Sequence, residues 1–298
     1  MLPRSLLLCL AAAVAVLCAL PVTASAAKVK VRNGVVFGKG RVAAPAAGNA
    51  RLRLDLYRPA RKSKAARPVV IVIHGGGFIR QSRKDPGIVQ TARGLAARGI
   101  VAAAIDYRML PQRPTPSRRV APLVTALPKR PFFAAVAAAV DDTLTATRYL
   151  RKHRRKLGID INRLGLVGSS AGAITADHVA YVLDDHGIKG PKVKFVGSLW
   201  GGILVPPPPG RRGKPAVQLD RGEAKLFAVH GDADTTVQVG LSDELVARAR
   251  AQRVRSEYHR LRDGLHGFAP SRFFTRKVRG NQTAFDRMLR FARSALRK

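Results

Sequence analysis

Cysteine is almost absent from this 298-residue chain. The two present, Cys9 and Cys18, both lie in an apolar N-terminal run, so the remainder can form neither disulfides nor thiolate metal sites. Its stability must come from packing, and a hydrophobic content of 46% allows a substantial core. Acidic side chains are scarce too. There are 18 Asp and Glu against 54 Lys and Arg, a formal net charge of +36. Such a field favours anionic partners: a cell-wall polymer, an acidic polysaccharide, a membrane surface or nucleic acid. The competing explanation is a compositional bias towards arginine that serves solubility, because the charges are spread along the chain. Nucleic acid fits the charge alone, since neither an aromatic platform nor a base-reading motif accompanies it. No cluster of His, Asp and Glu has ligand spacing, so neither a metal nor an organic cofactor is implied.

The N-terminal run from Leu6 to Leu20 is shorter than the roughly 20 apolar residues that cross a bilayer. Arg4 precedes it, and the small residues Ala24, Ser25 and Ala26 follow. That order predicts a secretory signal peptide over residues 1–27, cleaved near Ala26 or Ala27, and a protein that is secreted or associated with the cell wall.

Beyond the signal, "RLRLDLYRP" alternates leucine with polar residues as a half-buried strand does. "PVVIVIHGGG", "GIVAAAIDYR", "RLGLVGSSAG", "VKFVGSLWGG" and "KLFAVHGD" contain continuous apolar runs, the mark of strands buried on both faces of a mostly parallel sheet. Stretches of helical spacing separate the first of these runs, and a longer helical segment extends from about Phe133 to Leu157. Phe285, Met288, Leu289, Ala292 and Leu296 share one face of a terminal helix. The alternation predicts one α/β domain over residues 28–298, with helices on both sides of the sheet. Two segments break it: the proline-rich residues 109–131 and residues 203–222 with "VPPPPGRRGKP". Each follows the carboxyl end of a predicted strand, where open parallel sheets bind ligands, so each is expected to border a site as a rim or small lid. The basic stretch "RYLRKHRRK" at 148–156 is expected to be the exposed half of an amphipathic helix.

Gly168, Ser170 and Gly172 satisfy G-x-S-x-G between a buried strand and a helix-compatible segment. This is the setting of a nucleophile elbow, in which the central hydroxyl projects above the sheet. Ser169, at the variable position, is expected to make a local hydrogen bond. Attack by a serine on a carbonyl needs a base for its proton and donors for the oxyanion. "HGGGF", His74 to Phe78, offers amides: Gly76 and Gly77 are the expected donors, with the Ala171 N–H at the helix start as the third. Of the seven histidines, His266 in "DGLHGF" lies in a loop after the last strand and before the terminal helix. His74 is expected to hold the glycine loop, and His230 ends a strand. The order serine, acid, histidine asks for an acid between 170 and 266: "HGDADTTV" offers Asp232 and Asp234, and Asp263 lies three residues before the histidine.

Taken together, "LDLYRP", "HGGGF", "DYR", "GSSAG", "HGDAD" and "HGF" resemble the α/β-hydrolase superfamily, and within it the carboxylesterases of the hormone-sensitive-lipase-like type. The resemblance implies an α/β-hydrolase fold and a serine esterase working through an acyl-enzyme, with Ser170, Asp234 and His266 as the triad. It gives "DYR" at Asp106 to Arg108 a bracing role. Departures are Ala173 where a further glycine is common, "ML" after "DYR" where "LAP" is usual, and no full helical cap ahead of "LDLYRP". A small cap implies a small-molecule ester with short or surface-presented acyl groups. Acyl transfer or peptide hydrolysis could run on the same triad, and a non-catalytic basic wall-binding protein is the reading from another class.

Overall fold

The computed structural model describes residues 28–205, 218–269 and 272–297. The expected signal peptide lies outside these residues, as do residues 206–217 of the polyproline segment. The chain opens with a long hairpin, β1 (Val29–Val42) and β2 (Gly48–Pro59), and continues through β3 (Arg67–Ile73), α1 (Pro86–Ala97) and β4 (Val101–Ile105). Next come α2 (Ala121–Ala126), α3 (Pro131–Lys152), α4 (Arg154–Leu157), β5 (Ile159–Ser169) and α5 (Ala171–Tyr181). The final part holds β6 (Val193–Leu199), β7 (Lys225–Gly231), α6 (Gly240–Ala251), β8 (Ser256–Leu261), the small pair β9 (Lys277–Arg279) and β10 (Gln282–Thr283), and α7 (Ala284–Ala295). Eight strands form one sheet in the order β1-β2-β4-β3-β5-β6-β7-β8. The β1–β2 and β2–β4 pairings are antiparallel, and all later ones are parallel.

The apolar runs are buried because helices cover both faces. Val69 to Ile73 of β3 are fully enclosed. On one face α1 and α7 pack through Ile88, Leu95, Met288 and Leu289, and on the other α3, α5 and α6 pack through Val140, Leu150, Val179 and Leu245. Helix starts are encoded locally: Asp85 accepts from the Gly87 N–H ahead of α1, and Thr283 with Asp286 forms a reciprocal cap on α7. The "DYR" residues brace the sheet to its surroundings. Arg108 is buried and pairs with Asp141 at 2.9 Å and Asp142 at 2.7 Å on α3, while Asp106 takes the Arg83 backbone N–H at 2.9 Å and its guanidinium.

One strand was not anticipated and two sequence expectations need revision. The β1 strand carries no regular alternation, because most of its residues are exposed or half-buried at the sheet edge and only Phe37 and Gly40 are buried. The helical segment 133–157 breaks at His153 into α3 and α4. The proline-rich stretch is not simply irregular, since it holds α2 and two single-turn 3₁₀ segments, Leu110–Gln112 and Arg118–Val120. The basic stretch behaves as expected: Leu150 and Leu157 are buried and the intervening arginines and lysines are exposed.

Candidate active site

The β5–α5 turn explains the small residues around Ser170. Its backbone has φ 54° and ψ −122°, a region that side chains rarely adopt and that persists only where surroundings enforce it. Here they do. A Cβ on Gly168 would lie 2.1 Å from the Gly172 carbonyl oxygen, and one on Gly172 would lie 2.2 Å from that of Ile73. The strand and helix therefore approach backbone to backbone, and the Ser170 N–H is tied to the Leu199 carbonyl at 2.9 Å. The Ser170 hydroxyl projects above the carboxyl edge of the sheet. Ser169 makes no side-chain hydrogen bond among the described residues, contrary to the local bond expected of it.

His266, on the loop after β8, brings Nε2 to 2.8 Å from Ser170 Oγ and Nδ1 to 2.6 Å from Asp234 Oδ2. Asp234 leaves the end of β7 and is buried. Its Oδ1 accepts the N–H groups of Thr236 at 2.8 Å and Val237 at 2.9 Å. Burial opposes ionisation of this carboxyl, yet the Val237 N–H, the His266 bond and the Thr236 N–H outweigh it and hold the group below the usual carboxylate range. The two loops meet without side chains between them. A Cβ on Gly231 would stand 2.0 Å from the Gly264 carbonyl oxygen, and Asp232 Oδ1 accepts the Asp263 N–H at 2.7 Å. Asp232 thus fastens the histidine turn, which Asp263 enters with φ 54°. Neither of these two carboxylates is bonded to His266.

The glycine loop lies on the other side of Ser170. An added Cβ on Gly75 would be 3.2 Å from the Cβ of Ser170, and one on Gly76 would be 2.1 Å from the Arg80 carbonyl oxygen. Gly76 and Gly77 have φ of 85° and 64°, the left-handed region that glycine enters freely. The Gly76 carbonyl accepts from Ile79 and Arg80, and the N–H groups of Gly76, Gly77 and Ala171 have no protein partner among the described residues. His74 contributes as expected and more. Its ring stacks on Tyr107 at 4.2 Å, and the Tyr107 hydroxyl donates to the carbonyls of His74 and Gly75 at 3.1 and 2.8 Å. Burial holds the His74 imidazole below its ordinary value, against the opposing Gly75 bond.

One contributor was missed in the sequence. His230, read there as the strand end four residues before the acid and given no contact with it, places Nε2 at 3.2 Å from Asp234 Oδ2 and 2.9 Å from the Val237 carbonyl, with Nδ1 at 2.7 Å from Ser242 Oγ. Burial depresses its pKa, so a neutral ring can donate to the acid from below. The spacing of four residues between His230 and Asp234 was the available signal. In front of Ser170 opens a pocket of ≈ 700 Å³ whose walls include Ile79, Arg80, Trp200, Thr236 and Phe268. Trp200 stands edge-on to Phe268 at 5.0 Å and to His266 at 6.4 Å. Neither 109–131 nor the described part of 203–222 lines it, so the rim comes instead from residues 79–87 and 266–268. The proline-rich stretch acts at one remove: Leu110 donates to the Phe78 carbonyl at 2.7 Å and so steadies the glycine loop. Among the described residues no group of His, Cys, Asp and Glu could hold a metal ion.

Two family models match the chain, one described as BD-FAE over residues 54–120 and one described as alpha/beta hydrolase fold over residues 133–220. Esterase LipI of Mycobacterium tuberculosis is 30% identical over 141 residues, covering 47% of this chain and 36% of the relative. Human arylacetamide deacetylase-like 2 is 31% identical over 154 residues, covering 50% and 33%. The match therefore spans about a third of the length of these curated relatives. Among solved structures, esterase 2 of Thermogutta terrifontis superposes with a TM-score of 0.63 at 23% identity, over 91% of this chain and 94% of the other. A propionate-bound form of the same esterase gives 0.60 at 22% identity, over 91% and 93%. An eight-stranded, mostly parallel sheet covered on both faces, a strained serine turn after β5 and these matches show the α/β-hydrolase fold, and residues 133–220 are similar to the family model of that description.

Proposed function

We propose that the protein is a serine esterase that hydrolyses carboxylic esters through an acyl-enzyme. The observation that carries this is the unbroken relay from Ser170 Oγ to His266 Nε2 at 2.8 Å and from His266 Nδ1 to Asp234 Oδ2 at 2.6 Å. In this reading His266 accepts the Ser170 proton as Oγ attacks the ester carbonyl, and Asp234 fixes the tautomer and stabilises the imidazolium. The tetrahedral oxyanion takes hydrogen bonds from the N–H groups of Gly76, Gly77 and Ala171. The imidazolium then protonates the leaving alcohol, and a water activated by the same ring releases the acid. His230 is a positioning residue that holds the outer oxygen of Asp234.

The pocket supports small-molecule esters with short acyl groups, because Trp200 and Phe268 wall it close to Ser170. Solved forms of the Thermogutta terrifontis esterase hold propionate or butyrate, in keeping with that range. A series of nitrophenyl esters from acetate to palmitate tests both points. Turnover should be highest on the short esters and vanish in Ser170→Ala, and a protein inert on all of them sinks the reading. Export with cleavage near Ala26 or Ala27 belongs to the same proposal. It is checked by N-terminal sequencing of protein recovered from the medium.

A further inference from the structure

Away from Ser170, two open hollows of ≈ 720 and ≈ 510 Å³ adjoin each other, because Arg151 lines both. Arg154 and Arg155 border the first, Arg148 and Lys189 the second. Arg148 and Arg151 lie in the last turns of α3, and Arg154 and Arg155 in α4 immediately after. All five side chains are exposed. Among the described residues four of them make no side-chain hydrogen bond or ion pair, and Arg154 meets only the Arg151 carbonyl at 3.1 Å. The carboxylate bordering the first hollow, Asp160, is already occupied by Arg163 at 2.8 Å and the Asn162 N–H at 3.0 Å. Burial, and after it the neighbouring Arg119 charge, disfavours the charged form of Arg148, so an incoming anion would relieve like-charge repulsion.

The location matters as much as the charge. The first hollow is bordered by Gly158 and Ile159, where β5 begins, and the second by residues 187–191 just ahead of β6. Ser170 stands at the opposite, carboxyl ends of the same strands. A strand as long as β3, seven residues, separates the two faces by roughly 20 Å at ~3.3 Å per residue. We propose that this groove anchors a linear acidic polysaccharide, its carboxylates taking bidentate bonds from the arginines while the Ser170 pocket stays open on the far side. Guanidinium forks match carboxylates. The lining holds no aromatic ring, so the stacking that single-stranded nucleic acid relies on is missing.

The test uses polygalacturonate as probe and calorimetric or retention measurements across a salt series. The groove variant is Arg151→Gln with Arg154→Gln and Arg155→Gln. Its control removes the same charge elsewhere, at the exposed Arg279, Arg290 and Arg293. Loss of the groove charges should weaken binding about tenfold and flatten its salt dependence, with the control falling by less than about threefold. Nitrophenyl ester turnover should be unchanged in both, which also reports that they fold. Should the triple variant not fold, Arg151→Gln alone, shared by both hollows, must weaken binding by about threefold. Equal losses in the two triples, no retention at low salt, or tighter binding to DNA than to polygalacturonate each overturns the proposal.

Discussion

Replacing Asp234 by Asn changes one oxygen to an NH₂ group, and the structure determines which one. Oδ1 accepts two backbone N–H groups, from Thr236 and Val237. Turning the amide so that NH₂ faces them would leave two part-buried donors opposed by a donor, at up to about 1–3 kcal/mol for each unsatisfied group. The asparagine oxygen therefore keeps the Oδ1 place, and NH₂ falls where Oδ2 stood, facing His266 Nδ1 and His230 Nε2. A donor there can be met by His266 only through an unprotonated Nδ1. The proton then sits on Nε2, and the ring cannot accept one from Ser170. The fold keeps its backbone bonds while the base is lost.

By the measured behaviour of the same change in a serine protease triad, turnover should fall on the order of 10⁴, about 5.5 kcal/mol of barrier at 1.36 kcal/mol per tenfold. The assay is kcat and KM on nitrophenyl acetate, with the thermal midpoint measured alongside. KM should move little, since Asp234 does not line the pocket. Asp232→Asn and Asp263→Asn serve as comparators, because Asp232 fastens the histidine turn and Asp263 contributes its backbone N–H to that bond. A larger loss at either one, or less than about tenfold at Asp234, would refute the assignment.

Other substitutions probe the remaining parts. Ser170→Ala should remove ester hydrolysis, whereas Ser169→Ala should leave most of it, since the Ser169 hydroxyl bonds to no catalytic group; equal losses would contradict the turn geometry. Gly76→Ala and Gly77→Ala both meet a left-handed backbone, but only the first also collides with the Arg80 carbonyl. Turnover should thus drop about 10²-fold or more in the first, and the second should lose stability of only about 1–2 kcal/mol, read from denaturant midpoints. Asp177→Asn addresses pH. Burial pushes this carboxyl up to about 8, against the Ser198 hydroxyl bond at 2.8 Å, while its ordinary value is 3.8. Between these values the folded state holds a proton that the unfolded state has released, so stability falls as pH rises. From pH ~6.5 to ~8 the wild type should lose on the order of 2 kcal/mol relative to Asp177→Asn. Parallel stability curves for the two proteins over that window would show Asp177 to be ionised in the fold.

What the chain made legible follows from how far each feature depends on neighbours in sequence. The continuous runs at 69–73, 101–105 and 226–229 could be recognised as strands because burial on both faces leaves only apolar residues. The elbow and the glycine loop were legible for a similar reason. At Gly76, Gly168 and Gly172 backbone atoms stand where a side chain would be, and that demand is written in the residue type. The β1 strand was not legible, since an edge strand with few buried residues has no period to detect. The pocket rim was misassigned because proline content signals a break in regular structure and says nothing about where the chain then runs; 109–131 folds back as short helices under the glycine loop, and residues 79–87 take the rim instead. His230 is the most instructive case. Its bond to Asp234 joins residues only four apart, yet a histidine at a strand end looks the same whether it fills the core or holds an acid. Only the crossing of the 230–237 loop with the 261–266 turn, through Gly231 and Gly264, places Asp234 between two imidazoles. The proposed triad is therefore a property of two loops locked together at a glycine contact, and bulk at Gly231 should damage ester turnover as severely as loss of the acid itself.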